Sequence, residues 1–212
     1  MAHLVSVNVG TPREVPLPGG IVGTAIWKFP VAGRVALRSF NLDGDRQADL
    51  RVHGGPYKAV YAYSSEHYPY WTEELPGFEL PHGAFGENLT TAGLLEDAVR
   101  IGDRFRIGSA VVQATQPRMP CYKLNVRFDR ADMVRRFWAS GRSGIYFSVV
   151  EEGEIGAGDE IEHVGAGPED ITVADVVCLF KGEETDPEKL RRAMRSPLHG
   201  SWKEEIDGRF GG

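Results

Sequence analysis

The strongest constraint on the fold is a change of residue pattern at residues 165–168, where two glycines and a proline interrupt the chain. Before this segment, short stretches alternate apolar and polar side chains, as over residues 4–9, which is the period of a half-buried β-strand. Beyond it, apolar residues recur at helical spacing behind helix start signals. The pattern therefore predicts an α+β protein, with a mostly-β main domain over residues 1–167 and a small three-helix extension over residues 168–212.

Three short helices are predicted in the extension. The first covers residues 173–180, the second begins with Asp186 as its cap and Pro187 at its first position, and residues 201–204 have the spacing of a capping box for the third. Helices this short bury little surface alone, so we expect them to pack on the main domain or on a second subunit. Cys178 has apolar neighbours and is predicted to be a core residue.

One predicted hairpin leads into the most informative segment of the chain. Residues 104–107 and 110–112 have strand composition and are separated by Gly108 and Ser109, which favours a tight turn. The second strand would deliver the chain into residues 116–125. Two prolines in that segment restrict the backbone, so we predict a shaped loop there instead of a helix or a free strand.

A further helix is predicted after the apolar stretch that ends at Tyr63. Ser64 and Ser65 are suitable caps for a helix that runs towards Leu75, where a Pro-Gly pair would stop it. The aromatic residues between these points lie on one amphipathic face. We expect them to pack in the core, since that is the usual fate of aromatic side chains on such a helix.

Composition and charge exclude several classes of protein. The chain has 212 residues, a formal net charge of -6 and two cysteines. This acidic balance argues against a general nucleic-acid-binding protein, and the cysteine count does not describe a secreted disulfide framework. With no apolar stretch approaching a membrane span and no leader pattern at the start, we expect a soluble, cytoplasmic protein. Residues 118–142 are the exception in charge, with seven cations against two acids.

This basic segment contains a cysteine that could react or bind a metal. Cys121 follows Pro120 and is flanked by Arg118 and Lys123. Thiolate is the form of cysteine that attacks electrophiles and binds metal, and nearby cations favour it. Cys121 is therefore a candidate nucleophile or metal ligand. Simple packing of a buried thiol is the alternative interpretation.

Three other loops carry polar groups that could converge with Cys121. Residues 53–58 form a glycine-rich turn that ends at Lys58, and glycine permits the backbone to approach a ligand closely. Residues 85–91 supply an amide and two hydroxyl groups, which suit phosphate or a heterocycle. Residues 27–34 add Lys28 and Arg34. Each loop alone is explained equally well by ordinary turn chemistry.

Taken together, these segments resemble the MOSC domain family, named for the C-terminal domain of molybdenum cofactor sulfurase, and in particular the branch with a three-helix extension. The resemblance covers nearly the whole chain, and the matching segments occur in the family's order. They are Val31-Ala32-Gly33-Arg34, Arg51-Val52-His53-Gly54-Gly55-Pro56, Phe85-Gly86-Glu87-Asn88-Leu89 and Gln116-Pro117-Arg118-Met119-Pro120-Cys121-Tyr122-Lys123-Leu124. The resemblance implies a barrel-like main domain that binds molybdenum cofactor.

The resemblance also implies roles for individual residues. Cys121 would be the protein's thiolate ligand to molybdenum, which agrees with the preference of soft metals for thiolate. Lys58 and Arg118 would join Cys121 in catalysis. The cofactor-binding residues would be Lys28, Arg34, His53, Lys58, Asn88, Thr90, Arg118 and Lys123.

The activity implied by the family is reduction of N-hydroxylated compounds, such as hydroxylaminopurine-type base analogues, to amines. No dinucleotide fingerprint follows a predicted strand, so we expect electrons to come from a separate flavoprotein reductase or small electron carrier. Two other functions fit the residues. Cys121 could carry sulfur as a persulfide in a transfer protein, or the basic loop could bind a phosphorylated small molecule without catalysis.

Overall fold

The computed structural model describes residues 1–17, 19–46 and 55–210, and within them the chain forms thirteen β-strands and six α-helices. The strands are β1 (His3–Val9), β2 (Arg13–Leu17), β3 (Gly20–Thr24), β4 (Phe29–Pro30), β5 (Arg34–Arg38), β6 (Asn41–Leu42), β7 (Val60–Ser64), β8 (Leu89–Ala92), β9 (Arg104–Ile107), β10 (Ala110–Pro117), β11 (Ile145–Glu151), β12 (Gly153–Gly156) and β13 (Ile161–Gly165). The helices are α1 (Tyr68–Glu74), α2 (Lys123–Phe128), α3 (Met133–Ala139), α4 (Val173–Lys181), α5 (Pro187–Arg195) and α6 (Gly200–Phe210). Short 3₁₀ helices occupy Pro56–Lys58 and Ser65–His67.

The main sheet has eight strands in the order β13-β9-β10-β11-β7-β8-β1-β4. Its two ends approach each other, because the Leu4 backbone N–H donates to the Asp159 carbonyl at 2.8 Å and the Gly158 N–H donates to the Leu4 carbonyl at 2.7 Å. These bonds join β1 to the residues that precede β13. The main sheet therefore curls into a barrel-like shape. Together with the helices, this sheet confirms the predicted α+β class.

The predicted hairpin is confirmed and continues into a long central strand. Strands β9 and β10 pair with Ala110 opposite Ile107, and β10 also pairs with β11. The predicted loop over 116–125 is wrong at both ends. Gln116 and Pro117 still belong to β10 because they pair with Tyr146 and Ile145, and Lys123 already begins α2. Only residues 118–122 form the loop.

An aromatic cluster packs beneath the loops at one side of the sheet. Trp71 and Tyr63 are fully buried there, and the Trp71 Nε1–H donates to the Tyr63 hydroxyl at 2.6 Å. This confirms that the aromatic face of the predicted helix packs in the core. The predicted cap is wrong, however. The regular helix begins only at Tyr68, and the Ser64 hydroxyl donates to Glu66 instead of capping.

The C-terminal helices extend the hydrophobic core of the main sheet. Val176 and Leu179 on α4 and Ile206 on α6 belong to one apolar cluster with Phe147 on β11. This confirms packing on the main domain. Cys178 is half-buried, so its predicted place in the core is wrong.

The caps of these helices follow the sequence in one case and depart from it in another. The Asp186 carboxylate accepts from the Glu188 N–H at 2.9 Å, as predicted for the start of α5. The predicted capping box at residues 201–204 is wrong, because Ser201 lies inside α6 and its N–H donates to the His199 ring. A true capping box occurs earlier, between Thr172 and Asp175. Within the described ranges, no helix is both long and apolar enough to cross a membrane.

Candidate functional site

Two cavities meet at Cys121, in the loop that follows β10. The first cavity has a volume of about 80 Å³. This volume exceeds what a single water molecule needs, so the cavity can admit small groups. Its wall includes side chains that are charged, form hydrogen bonds or carry a thiol. They are Lys28, Asp45, Arg46, Lys58, Tyr61, Asn88, Arg118, Cys121, Lys123 and Tyr146. Five of these are basic and one is acidic, so the cavity favours an anionic ligand.

Six of the nine predicted site residues line this cavity. They come from four separate parts of the chain, namely Lys28, Lys58, Asn88 and a segment that contains Arg118, Cys121 and Lys123. Cys121 is half-buried and forms part of the cavity wall. The structure thus brings together a thiol and several cations, while their individual roles stay predictions.

The position of Lys58 follows from a tight turn fastened to the sheet. Gly55 precedes the 3₁₀ helix with a φ of +90°, a conformation that favours glycine. The Thr115 hydroxyl on β10 then bonds to the Tyr57 carbonyl at 2.6 Å and to the Tyr146 carbonyl at 2.9 Å. Burial lowers the pKa of the Lys58 ammonium below the ordinary value of 10.5. Lys58 therefore releases a proton more readily than a surface lysine.

Arg118 is held in one orientation by the core. It is only 6% exposed, its Nη1 donates to the Phe85 carbonyl, and its guanidinium carbon lies 4.7 Å from the centre of the Tyr61 ring. Burial opposes its charge, but Tyr61, Tyr146 and Cys121 act in the other direction, and the net effect raises the pKa of Arg118. Arg118 therefore remains a fixed positive charge beside the thiol.

Tyr61 is itself fixed by a close approach of the backbone. Its hydroxyl donates to the Ser143 carbonyl at 2.9 Å. Gly144 has a φ of +67°, and a Cβ atom at that position would lie 2.5 Å from the Tyr61 hydroxyl oxygen. Only glycine fits there without displacing the ring. Burial raises the pKa of Tyr61, so the phenol stays neutral and can only donate or accept hydrogen bonds.

A buried polar network supports the opposite wall. The Lys28 Nζ lies 2.5 Å from Asp45 Oδ1, and the same oxygen accepts from the Gly10 N–H at 2.8 Å. The Asn88 side-chain amide donates to Asp45 Oδ2 at 3.0 Å. Burial lowers the pKa of Lys28, although Asp45 counteracts this effect. Asn88 therefore positions Asp45, and Asp45 in turn positions Lys28.

Two predicted residues do not line the first cavity. The Thr90 side chain is fully buried, where it donates to Glu87 at 3.1 Å and accepts from Asn8 at 3.0 Å. Arg34 forms an ion pair with Asp159 at 2.9 Å and also donates to the Glu154 carbonyl. These bonds hold its guanidinium at the β5–β12 edge. His53, the remaining predicted residue, lies outside the described residues.

The sequence did not identify the residues that hold the cations in place. Asp45, Tyr61 and Tyr146 line the cavity but are not among the predicted site residues. No local signal distinguishes them, because their partners are distant in sequence. Their function depends on contacts such as the one between Asn88 and Asp45, which are 43 residues apart.

A second cavity, with a volume of about 360 Å³, also borders the cysteine loop, the loop over residues 118–122. It shares Lys58, Cys121 and Tyr146 with the first cavity. The rest of its wall comes from β10, the cysteine loop and the C-terminal helices, through Gln116, Met119, Pro120, Phe180, Ser201, Trp202, Glu204 and Glu205. Cys121 is therefore accessible from two spaces of different composition.

Comparison with known proteins identifies relatives along nearly the whole chain. It is 46% identical over 170 residues to the uncharacterized protein YflK of Bacillus subtilis (strain 168), covering 80% of this chain and 76% of that protein. It is 39% identical to protein YiiM of Escherichia coli (strain K12), covering 96% and 91%. A protein named reductase from Gibberella moniliformis (strain M3125 / FGSC 7600) is 36% identical over 92% of this chain, which spans only 35% of that longer protein.

Structural comparison agrees with these matches. The crystal structure of YiiM from Geobacillus stearothermophilus superposes with a TM-score of 0.80 and 34% sequence identity, covering 99% of each chain. The sequence profile of the MOSC domain matches residues 49–162, which include the turn at Lys58, the loop at Asn88 and the cysteine loop. The chain therefore belongs to the MOSC domain family.

Proposed function

We propose that the protein is a molybdenum-cofactor-dependent oxidoreductase that reduces N-hydroxylated compounds to amines. The observation that carries this proposal is the position of the half-buried residue Cys121 on the wall of a strongly cationic cavity. Membership of the MOSC family, whose name refers to molybdenum cofactor sulfurase, supports the cofactor. The name of the fungal relative supports a reductive activity.

The donor groups of the site fit both ends of such a cofactor. Lys28, Lys58, Arg118 and Lys123 would hold the phosphate of the pterin, since a compact set of cations is what a phosphate group requires. Cys121 would supply a soft thiolate ligand to the metal. When bound, the cofactor would supply the two-electron redox chemistry that no protein side chain in the cavity provides.

The reaction needs protons as well as electrons. The N–O bond of the substrate breaks, two electrons and two protons are taken up, and the oxygen leaves as water. Burial lowers the pKa of Lys58, so this residue is suited to deliver a proton. Arg118 keeps its charge and is suited to hold an anionic group in place. We propose that electrons arrive from a separate flavoprotein reductase or small electron carrier.

The proposal is tested by metal analysis and activity of protein purified from a host that makes molybdenum cofactor. We expect about one molybdenum per chain in the parent protein and reduction of N-hydroxybenzamidine to benzamidine with a chemical electron donor. Cys121→Ser should lose most of the metal and the activity, because its hydroxyl is a poor ligand for a soft metal. Cys178→Ser is the matched control and should keep both, since Cys178 on α4 lines neither cavity.

Other outcomes would contradict the proposal in distinguishable ways. Thiocyanate released from the parent by cyanide, but not from Cys121→Ser, would indicate a persulfide and therefore sulfur transfer. A parent protein without molybdenum whose affinity for phosphorylated ligands is unchanged in Cys121→Ser would indicate a non-catalytic binding domain.

A further inference from the structure

The segment Phe85-Gly86-Glu87-Asn88-Leu89 contains an acid that none of the roles described above uses. Glu87 is fully buried and lines neither of the two cavities at Cys121. Burial raises the pKa of its carboxyl group above the ordinary value of 4.5. A carboxyl group removed from water is costly unless hydrogen bonds satisfy it. The donors around Glu87 therefore indicate what this group does.

Four donors surround the Glu87 carboxylate. Its Oε1 accepts from the Gly83 N–H at 2.8 Å and from the Thr90 hydroxyl at 3.1 Å, and the Tyr68 hydroxyl donates to the same oxygen. Its Oε2 accepts from the Phe85 N–H at 3.0 Å. Because two of these donors are backbone groups of residues 83–88, the carboxylate holds that segment in one shape. We call this segment the glutamate turn.

The glutamate turn contacts two cations of the first cavity. The Phe85 carbonyl accepts a hydrogen bond from Nη1 of Arg118. Gly83 has a φ of +87°, and a Cβ atom at that position would lie 2.6 Å from the Lys28 carbonyl oxygen. The turn therefore packs directly against the backbone of Lys28 and supplies an acceptor to Arg118.

Phe85 connects Glu87 to Arg118 through its own main chain. Its N–H donates to Glu87 and its carbonyl accepts from Arg118. A change at the N–H reorients the backbone of Phe85 and moves the carbonyl. Arg118 is buried, and a buried guanidinium that loses an acceptor is costly in free energy, so it must shift to find another. The position of the Arg118 charge thus depends on Glu87.

We infer that Glu87 is a positioning residue for the first cavity. Through Phe85 it fixes Arg118 in the cavity wall and thereby sets the affinity of the cavity for anions. Glu87 does not line the cavity and acts only through this connection. The inference rests on the proposed function where it concerns the cofactor, because Arg118 would there hold the phosphate. Where it concerns anion affinity, it rests on the contacts alone.

The first experiment replaces Glu87 by its neutral isostere. Among the described residues, three of the four donors bond to Oε1, so the amide of Glu87→Gln keeps most bonds with its oxygen at that position. Its NH₂ group then faces the Phe85 N–H, and the connection to Arg118 is broken. We expect the affinity for sulfate, measured by calorimetry on metal-free protein, to fall about fivefold.

Asp103→Asn is the matched control for a merely structural effect. Asp103 is also buried and also holds two backbone groups, because it accepts from the Gly167 N–H at 2.7 Å and from the Arg100 N–H at 2.9 Å. It lines neither cavity at Cys121. The amide creates the same conflict between donors, so the midpoint of urea unfolding should fall as in Glu87→Gln, with sulfate affinity unchanged. Unchanged affinity in Glu87→Gln, or an equal loss in both variants, would overturn the inference.

Hydrogen exchange in the parent protein tests the same connection without a substitution. Coupling between two sites is reciprocal, so an anion held by Arg118 should in turn stabilise the bond between Phe85 and Glu87. Saturating sulfate should slow exchange of the Phe85 N–H more than that of the Gly167 N–H, which reports any general stabilisation by the ligand. Equal slowing at both amides would overturn the inference. This measurement decides the question if Glu87→Gln does not fold.

The molybdenum-loaded protein separates positioning from chemistry. Glu87→Gln should contain less molybdenum than the parent, with activity per bound molybdenum within about twofold. Full molybdenum content with lost activity would overturn the inference, because Glu87 would then act on the reacting groups.

Failure of the proposed function has a different signature. If the parent holds no molybdenum but Glu87→Gln still weakens sulfate binding, the proposed function is wrong and the positioning role stands. If the parent is loaded and active but Glu87→Gln binds sulfate as the parent does, the proposed function stands and the positioning role is wrong.

Discussion

The two cavities that flank Cys121 are built in opposite ways. In the first, three of the charged side chains are buried, namely Arg118 and the ion pair of Lys28 and Asp45. In the second, the charges of Glu204 and Glu205 are exposed on a helix. Buried charges are costly to unbalance, whereas exposed ones are readily changed. The comparison indicates that the first cavity is fixed in structure and that the second can vary in specificity without loss of the fold.

The largest effect is expected from removing one member of the buried pair. Lys28→Met leaves Asp45 as an uncompensated buried carboxylate on the wall of the first cavity. We expect the free energy of unfolding to fall by about 3 kcal/mol or more. The affinity for sulfate, measured by calorimetry, should fall at least about tenfold, since a cation is lost and an anion is uncovered.

The double variant Lys28→Met/Asp45→Asn separates these two effects. Because it removes both charges, it should recover most of the stability, as measured by urea unfolding, while sulfate binding remains weaker than in the parent. A single variant as stable as the parent would show that Lys28 and Asp45 are not a buried pair. The first cavity would then no longer differ from the second by holding a buried ion pair.

An intermediate effect is expected from pH. Sulfate keeps its charge over the alkaline range, so a change in its affinity reports on the protein. Burial lowers the pKa of Lys58, and the ammonium is therefore lost at a pH below the ordinary lysine value of 10.5. As pH rises through this lowered pKa, sulfate affinity should decrease. Tyr61 and Tyr146 do not interfere, because burial raises the pKa of both phenols.

Lys58→Arg sharpens this test because arginine keeps its charge throughout the range. Its sulfate affinity should decline less, and at higher pH, than that of the parent. Identical pH profiles for the parent and Lys58→Arg would assign the titration to another group, with Lys28 as the next candidate since burial also lowers its pKa.

The smallest effect is expected at Arg34, which pairs with Asp159 at the protein surface and does not line the first cavity. Exposed ion pairs contribute little to stability. We expect Arg34→Gln to leave sulfate affinity and molybdenum content unchanged. Loss of either property would place Arg34 among the anion contacts and would enlarge the first cavity beyond the residues that now define it.

Features set by neighbouring residues could be predicted from the sequence. The hairpin of β9 and β10 and the cap at Asp186 depend on contacts within a few positions, and both are present. The position of the cysteine loop was predicted correctly, but its predicted length was too great. Gln116 and Pro117 belong to β10 because they pair with Tyr146 and Ile145. Pairing across the sheet is not visible in the composition of the loop.

Features set by distant partners could not be predicted. Thr90 and Arg34 carry suitable groups, but Asn8, Glu87 and Asp159 already bind them. Asp45 looks like a turn residue until the fold brings Lys28 and Asn88 to it. In each case the partner of the side chain depends on the tertiary structure, which no local sequence pattern specifies.

The most direct test of the account is X-ray absorption at the molybdenum edge, on the parent protein and on Cys121→Ser loaded by incubation with excess cofactor. We expect one fewer sulfur ligand to molybdenum in the variant than in the parent. An equal number of sulfur ligands in the two proteins would contradict it, because the metal would then be held without the Cys121 thiolate.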